Sequence, residues 1–202
     1  MKKTKRAYDG SKRKAQAEER KRHIVACATE LLLQKRDQDF TLEAVAQMAD
    51  VSVQTILRAF GSRDELLIAT LEVAGPSDTE RAAFGNVERD GLRGAIEGLY
   101  RVYDQIGDLV IYLLAEEHTS SRIHEAVTVG RVYHKDWVRM NFGPWLDQRQ
   151  GAERAAQFHA LLTATDIYIW KILRRDEALG FQTAVSAVHF TIKSLLGEET
   201  DD

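Results

Sequence analysis

Val53, Gln54, Thr55 and Arg58 fall within six consecutive positions, and each has the chemistry to meet a base edge or a phosphate of a nucleic acid duplex. A glutamine amide pairs bidentately with an adenine edge. A threonine hydroxyl bonds a base or a phosphate while its methyl group meets thymine, and valine offers an apolar contact. Arginine reads guanine or clamps a phosphate, and the late position of Arg58 favours the phosphate. Thr41, Ser52 and Ser62 each stand where a helix is expected to start, and Arg63 follows directly. Thr41 and Ser62 offer capping hydroxyls beside bare N–H groups, a combination that attracts phosphate.

Three helix starts must position these side chains. Thr41 caps the first, with Phe40 and Val45 as the two ends of a hydrophobic staple. Ser52 caps the second, with Val51 and Ile56 as its staple, and Ser62 with Glu65 forms a capping box ahead of Leu66 and Leu67. The signals predict short helices over about 42–48, 53–59 and 63–73. Only Ala49, Asp50 and Val51 join the first two, and a link that short forces the steep crossing of a helix-turn-helix. Asp50 is expected in the left-handed or turn conformation, which Asp tolerates better than most residues. Ala46 and Ala49 let the helices approach, and Val45, Val51, Ile56, Leu57 and Phe60 seal the small core beneath.

The order Phe40-Thr41, Val45-Ala46, Val51-Ser52 and then Phe60-x-Ser62-Arg63-x-x-Leu66 resembles the TetR family of bacterial transcription regulators, over about residues 20–67. The resemblance implies a homodimer on a palindromic operator in double-stranded DNA, with a C-terminal helical body that dimerises and binds a small-molecule effector. Four positions depart from the family pattern. Leu57 stands where the family usually has a phosphate-contacting Tyr, and Ala59 where it often has Tyr or His. Arg63 replaces the usual Lys and keeps its charge, and Asp50 replaces the usual turn Gly.

Composition fits an all-α protein of about nine helices. The 202 residues include two prolines and one cysteine, Cys27, which cannot form an internal disulfide and suits a reducing cytoplasm. No apolar run reaches the roughly 18 residues of a membrane span, and the basic N-terminus lacks the apolar stretch of a secretory signal. The net charge of −3 hides an asymmetry: residues 1–22 carry ten Lys/Arg against Asp9, Glu18 and Glu19, and the rest is acidic. A basic end on an acidic body is the distribution expected when one end meets a polyanion. The chain divides into a basic disordered arm (1–16), a DNA-binding domain (17–74) and a body (75–202) set off by Gly75-Pro76-Ser77-Asp78. Lys2, Lys3, Lys5 and Arg6 of the arm are expected to track phosphates or enter a minor groove. The first helix is expected to start near Ala17 and bury Ile24, Ala28, Leu31 and Leu32.

In the body, Leu92, Ile96, Leu99, Tyr103 and Ile106 form an amphipathic stripe that Gly107-Asp108 punctuates. The run 109–115 is apolar on every side and predicts the central buried helix. A longer helix follows until Gly143-Pro144 stops it, then helices over about 152–175 and 177–196. By the resemblance the last two helices pack against their copies, with Phe158, Leu162, Val185, Val188 and Ile192 at the dimer interface; the alternative is that those faces close the monomer core. Tyr103, Tyr112, Tyr133, His134, Trp137, Asp166 and Trp170 are candidate ligand-pocket residues, and a buried Asp166 needs a partner such as Arg131 or a His. No catalytic residue, metal site or cofactor is assigned: His118 and His124 are six apart rather than four, and no nucleophile elbow, Gly-rich phosphate loop or Cys pair occurs. The expected function is a sequence-specific transcriptional regulator, a repressor released by an effector. A helical protein–protein adaptor is the alternative, and a helical metal-dependent enzyme is a weaker one.

Overall fold

The computed structural model describes residues 10–34, 40–75 and 85–197, and every regular element among them is a helix. The chain is all-α. Among the described residues no helix is long and apolar enough to cross a membrane. Contacts divide the chain into two units, Met1–Thr70 and Leu71–Asp202. The division falls inside a helix, ahead of the Gly75-Pro76 cluster where the sequence predicts it.

The first unit holds α1 (Gly10–Gln34), α2 (Leu42–Met48), α3 (Val53–Phe60) and the first turns of α4 (Arg63–Ala74). Its core is built from Ile24, Val25, Cys27, Ala28 and Leu31 of α1, then Phe40, Val45, Ala46, Ala49, Ile56, Leu66 and Leu67. The expected caps are present. Thr41 Oγ1 accepts from the Ala44 N–H at 3.2 Å, Ser52 Oγ from Thr55 at 3.1 Å and Ser62 Oγ from Glu65 at 3.1 Å. Asp50 takes a φ of 50°, as the short link requires. Helix α1 begins at Gly10, seven residues before the expected start at Ala17. Lys12, Arg13 and Lys14 therefore belong to a helix and not to a disordered arm. The segment 11–22 lacks an apolar stripe, but its Lys, Arg, Glu, Gln and Ala are strong helix formers.

The second unit holds α5 (Val87–Glu116), α6 (Ser121–Leu146), α7 (Gly151–Ala164), α8 (Ile167–Lys171) and α9 (Phe181–Leu196). Helix α8 widens into a π-helical turn over Ile172–Asp176. Asn141 ties two elements together: its Oδ1 accepts from the Val87 N–H at 2.8 Å and its Nδ2 donates to the Trp137 carbonyl at 3.0 Å.

Four expectations are corrected here. Gly107 does not interrupt a helix; α5 runs through it, and a Cβ there would lie 2.4 Å from the Trp170 ring, so glycine is required for that close approach. The 109–115 run is not a separate central helix but the end of α5, where only Leu109 and Leu113 are buried. Pro144 lies inside α6, in its last turn, where the helix is about to end anyway and its missing N–H costs one bond. The helix expected over 152–175 breaks at Thr165, and Asp166 starts a new one: its Oδ1 accepts from the Tyr168 N–H at 2.9 Å.

Candidate nucleic-acid interface and ligand pocket

Helix α3 presents a short polar edge. Gln54 and Arg58 are exposed and one turn apart, so both side chains leave the same face, while Ile56 on the opposite side is fully buried. Thr55 is half-buried and its hydroxyl lies 2.8 Å from Ser52 Oγ, which fixes it at the head of the helix. Val53 and Leu57 are half-buried, so each leaves some apolar surface beside Gln54 and Arg58. Gly61, at φ 89°, ends the helix and turns the chain into α4. Thr41 and Ser62 are each occupied as caps, leaving an oxygen and the first N–H groups of α2 and α4 at the surface end.

Arg63 has a second task. Its Nε donates to the Phe40 carbonyl at 2.8 Å, its guanidinium lies 5.6 Å from the centre of the Phe40 ring, and Asp64 stands 3.5 Å away. It binds the start of α4 to the chain entering α2, a role the sequence did not disclose. Lys3, Lys5 and Arg6 lie outside the described residues. Cys27 is a buried thiol of α1, with its pKa raised first by burial and then by Glu30.

In the second unit, Tyr103, His134 and Asp166 come together around Thr165. Tyr103 Oη donates to the Thr165 carbonyl at 3.1 Å, and His134 Nε2 lies 2.8 Å from Thr165 Oγ1. His134 Nδ1 is 4.0 Å from Asp166 Oδ2. Burial lowers the His134 pKa, and the nearby Asp166 carboxylate only partly opposes it. Burial also drives the Tyr103 and Tyr100 hydroxyls upward, so both stay protonated donors. Arg131, the other partner expected for Asp166, instead holds Glu117 at 2.7 Å.

Trp170 is fully buried and belongs to an ion-pair ladder that the sequence reading missed. Its Nε1 donates to Asp104 Oδ1 at 2.8 Å, and Arg174 grips the same carboxylate at 3.0 and 2.7 Å. Burial raises the Asp104 pKa, and the bonds from Arg174 and Trp170 outweigh it, leaving the pKa below the usual range. Arg175 holds Asp108 at 2.9 Å and covers the Trp170 ring, 4.4 Å from its centre. Two acids one helical turn apart on α5, facing a dibasic pair, were the available signal. Trp170 is thus a structural pillar and not an open pocket wall.

The other candidates are dispersed. Tyr112 Oη donates to Glu116 Oε1 at 2.8 Å, and Tyr133 is exposed. Trp137 is buried against Phe142, and its Nε1, like the Tyr100 hydroxyl, is a buried donor without a hydrogen-bond partner among the described residues.

The residues expected at a dimer interface split in two. Val185 and Ile192 are fully buried in their own unit and close its core, while Val188, nearly buried, also lines a groove at its edge. Phe158 and Leu162 are partly buried against that core. At its edge lies an apolar groove of about 480 Å³ lined by residues that include Ala160, Thr163, Ile169, Leu173, Val188 and Thr191. Phe190, 61% exposed, stands beside Thr191.

Among the described residues no three His, Cys, Asp or Glu side chains are grouped to hold a metal ion. No family model matches the chain, and no curated protein is significantly similar to it.

Proposed function

We propose that the protein is a sequence-specific, homodimeric DNA-binding transcriptional regulator of the TetR type, a repressor that a small-molecule effector releases. The observation that carries this reading is the exposed pair Gln54 and Arg58 on a capped, eight-residue helix joined to α2 by four residues, the last of them its cap Ser52. Such a helix is narrow enough for the major groove, where glutamine selects adenine and arginine selects guanine or holds phosphate. Capped N-termini at Thr41 and Ser62 supply phosphate contacts that Leu57 and Ala59 do not.

The dimer is supported by the outer face of α7 and α9. From Ala155 to Thr165 and from Phe181 to Ile192 there is no Asp, Glu, Lys or Arg. A face with an exposed Phe190 and an apolar groove, and with charge only from Arg139 over Phe158 and Arg93 on Gln182 and Ser186, suits a second copy of itself. A two-fold pair then matches a palindrome. The effector is proposed to bind around Tyr103, His134 and Trp137, a reading supported by the buried Tyr100 and Trp137 donors, which could bond an acceptor on the effector. Helix α4, which leaves the first unit at Thr70, carries the response, and the effector acts by binding one conformation more tightly than the other.

The adaptor reading draws on one observation, the exposed stripe Val129, Val132, Tyr133 and Met140 on α6, which a partner helix could cover. Base preference separates the two. Gln54→Ala is expected to relax selection at one base position at a cost of about 1–3 kcal/mol. Equal weakening on all sequences would remove Gln54 as a reader, and no selection by the native chain would favour the adaptor.

A further inference from the structure

Helix α1 runs well beyond the part of it that is buried in the first unit. Its first fully buried residue is Ile24, so the segment from Gly10 projects by about 21 Å at 1.5 Å per residue. Residues 12–20 are all exposed, which an ordinary surface helix does not show, because one of its stripes is covered.

The charges on this projection are not scattered. Arg13 and Arg20 precede the buried Cys27 at intervals of seven, about two helical turns, and Lys14 and Lys21 precede the buried Ala28 in the same way. One seam of α1 is therefore apolar where it is buried in the first unit and cationic towards its N-terminus. Glu18 falls beside this seam, and Glu19 turns away from it to pair with Arg22. Helix α1 packs against α2, the partner of the proposed reading helix.

We infer that this cationic seam is a second DNA-contacting surface, which lies along the phosphate backbone outside the base pairs read by α3. The inference rests on the proposed DNA-binding function. Charge complementarity commits the seam to a polyanion: four basic side chains repeat over the helix, and the one acid among them, Glu18, lies a turn from Lys14 and Lys21 and offsets a single charge. A duplex presents one phosphate per about 3.4 Å of each strand, so a 21 Å rod spans about six. The contact adds affinity and salt dependence but no base preference.

The test is a full-chain variant, R13Q/K14Q/R20Q/K21Q, compared with R101Q/R122Q/K135Q/R154Q, which removes the same charge from exposed positions of the second unit. Glutamine keeps the helix propensity, and a matching far-ultraviolet spectrum and melting temperature establish that both fold. Affinity for the selected motif and for random duplex is measured across salt concentrations, with a hydroxyl-radical footprint. Loss of the seam is expected to flatten the log–log salt slope by roughly 3 per protomer and lower affinity at least tenfold. The same variant should erase footprint protection flanking the motif while motif choice is kept; the control should change neither. An unchanged slope and footprint with motif selection intact overturns the seam and leaves the reading of α3 standing. If the native chain selects no motif yet the seam variant loses salt-dependent binding to random duplex, the seam stands and the sequence-specific function falls.

Discussion

Arg63 donates to the carbonyl oxygen of Phe40 at 2.8 Å across 23 positions of the chain and lies over the same residue's ring. One side chain thus closes the small four-helix unit between its α2 and α4 starts. In sequence it read only as a cation at a helix N-terminus facing phosphate. Arg63→Gln is expected to lower stability by about 1 kcal/mol, because the bond is charge-assisted but partly exposed. Thermal unfolding checks this. An unchanged melting temperature with weaker DNA binding would return Arg63 to a purely phosphate-contacting role.

Gly107 and Trp170 touch without room for another atom. Gly107→Ala adds helix propensity worth about 1 kcal/mol but pushes a methyl group into the indole. Overpacking of about 1–3 kcal/mol should win, with a net loss of stability and a shift in tryptophan emission. A stabilised variant would show that the ring moves freely, and with it the Asp104–Arg174 pair.

His134 makes stability depend on pH in a window of its own. Its folded pKa is lowered by burial, so the unfolded chain takes up the proton first. Stability should fall as pH drops through the ordinary histidine value of about 6.5 and level off below the lowered folded one. Asp104 and Glu117, whose folded pKa values are depressed, lose their contribution only at the lower pH where carboxylates titrate. His134→Gln keeps a donor toward Thr165 and should flatten the curve as pH falls through about 6.5. A slope retained in that variant assigns the effect to another group.

Phe190→Glu places a charge on the apolar α7–α9 face without touching the core, since Phe190 is 61% exposed. The variant should keep its fold, become monomeric in sedimentation, and lose affinity for a palindrome far more than for a single half-site. A dimer that survives would move the interface elsewhere, with the α6 stripe as the next surface to test.

The ends of the short helices were legible because caps are local: Thr41, Ser52 and Ser62 each act within three residues, and Asp50 needs only its own φ. The second unit was legible as helices but less so in its joints. Asp166 read as a polar residue on a helix face because a cap and a face position look alike until the break at Thr165 is known. Gly107 read as a stop because the partner that demands it, Trp170, is 63 residues away. Periodicity showed that Val185, Val188 and Ile192 are covered; it could not show that their own chain covers them. The start of α1 was missed because it carries no stripe and its charges find no core.

The central claim is that α3 reads bases, and selection from random duplexes by the purified full chain tests it most directly. The account predicts enrichment of one palindromic motif, bound as a dimer and at least roughly a thousandfold tighter than random DNA at physiological salt. Binding that is weak, steeply salt-dependent and without a motif would contradict it, because the basic face of α1 would then be acting alone.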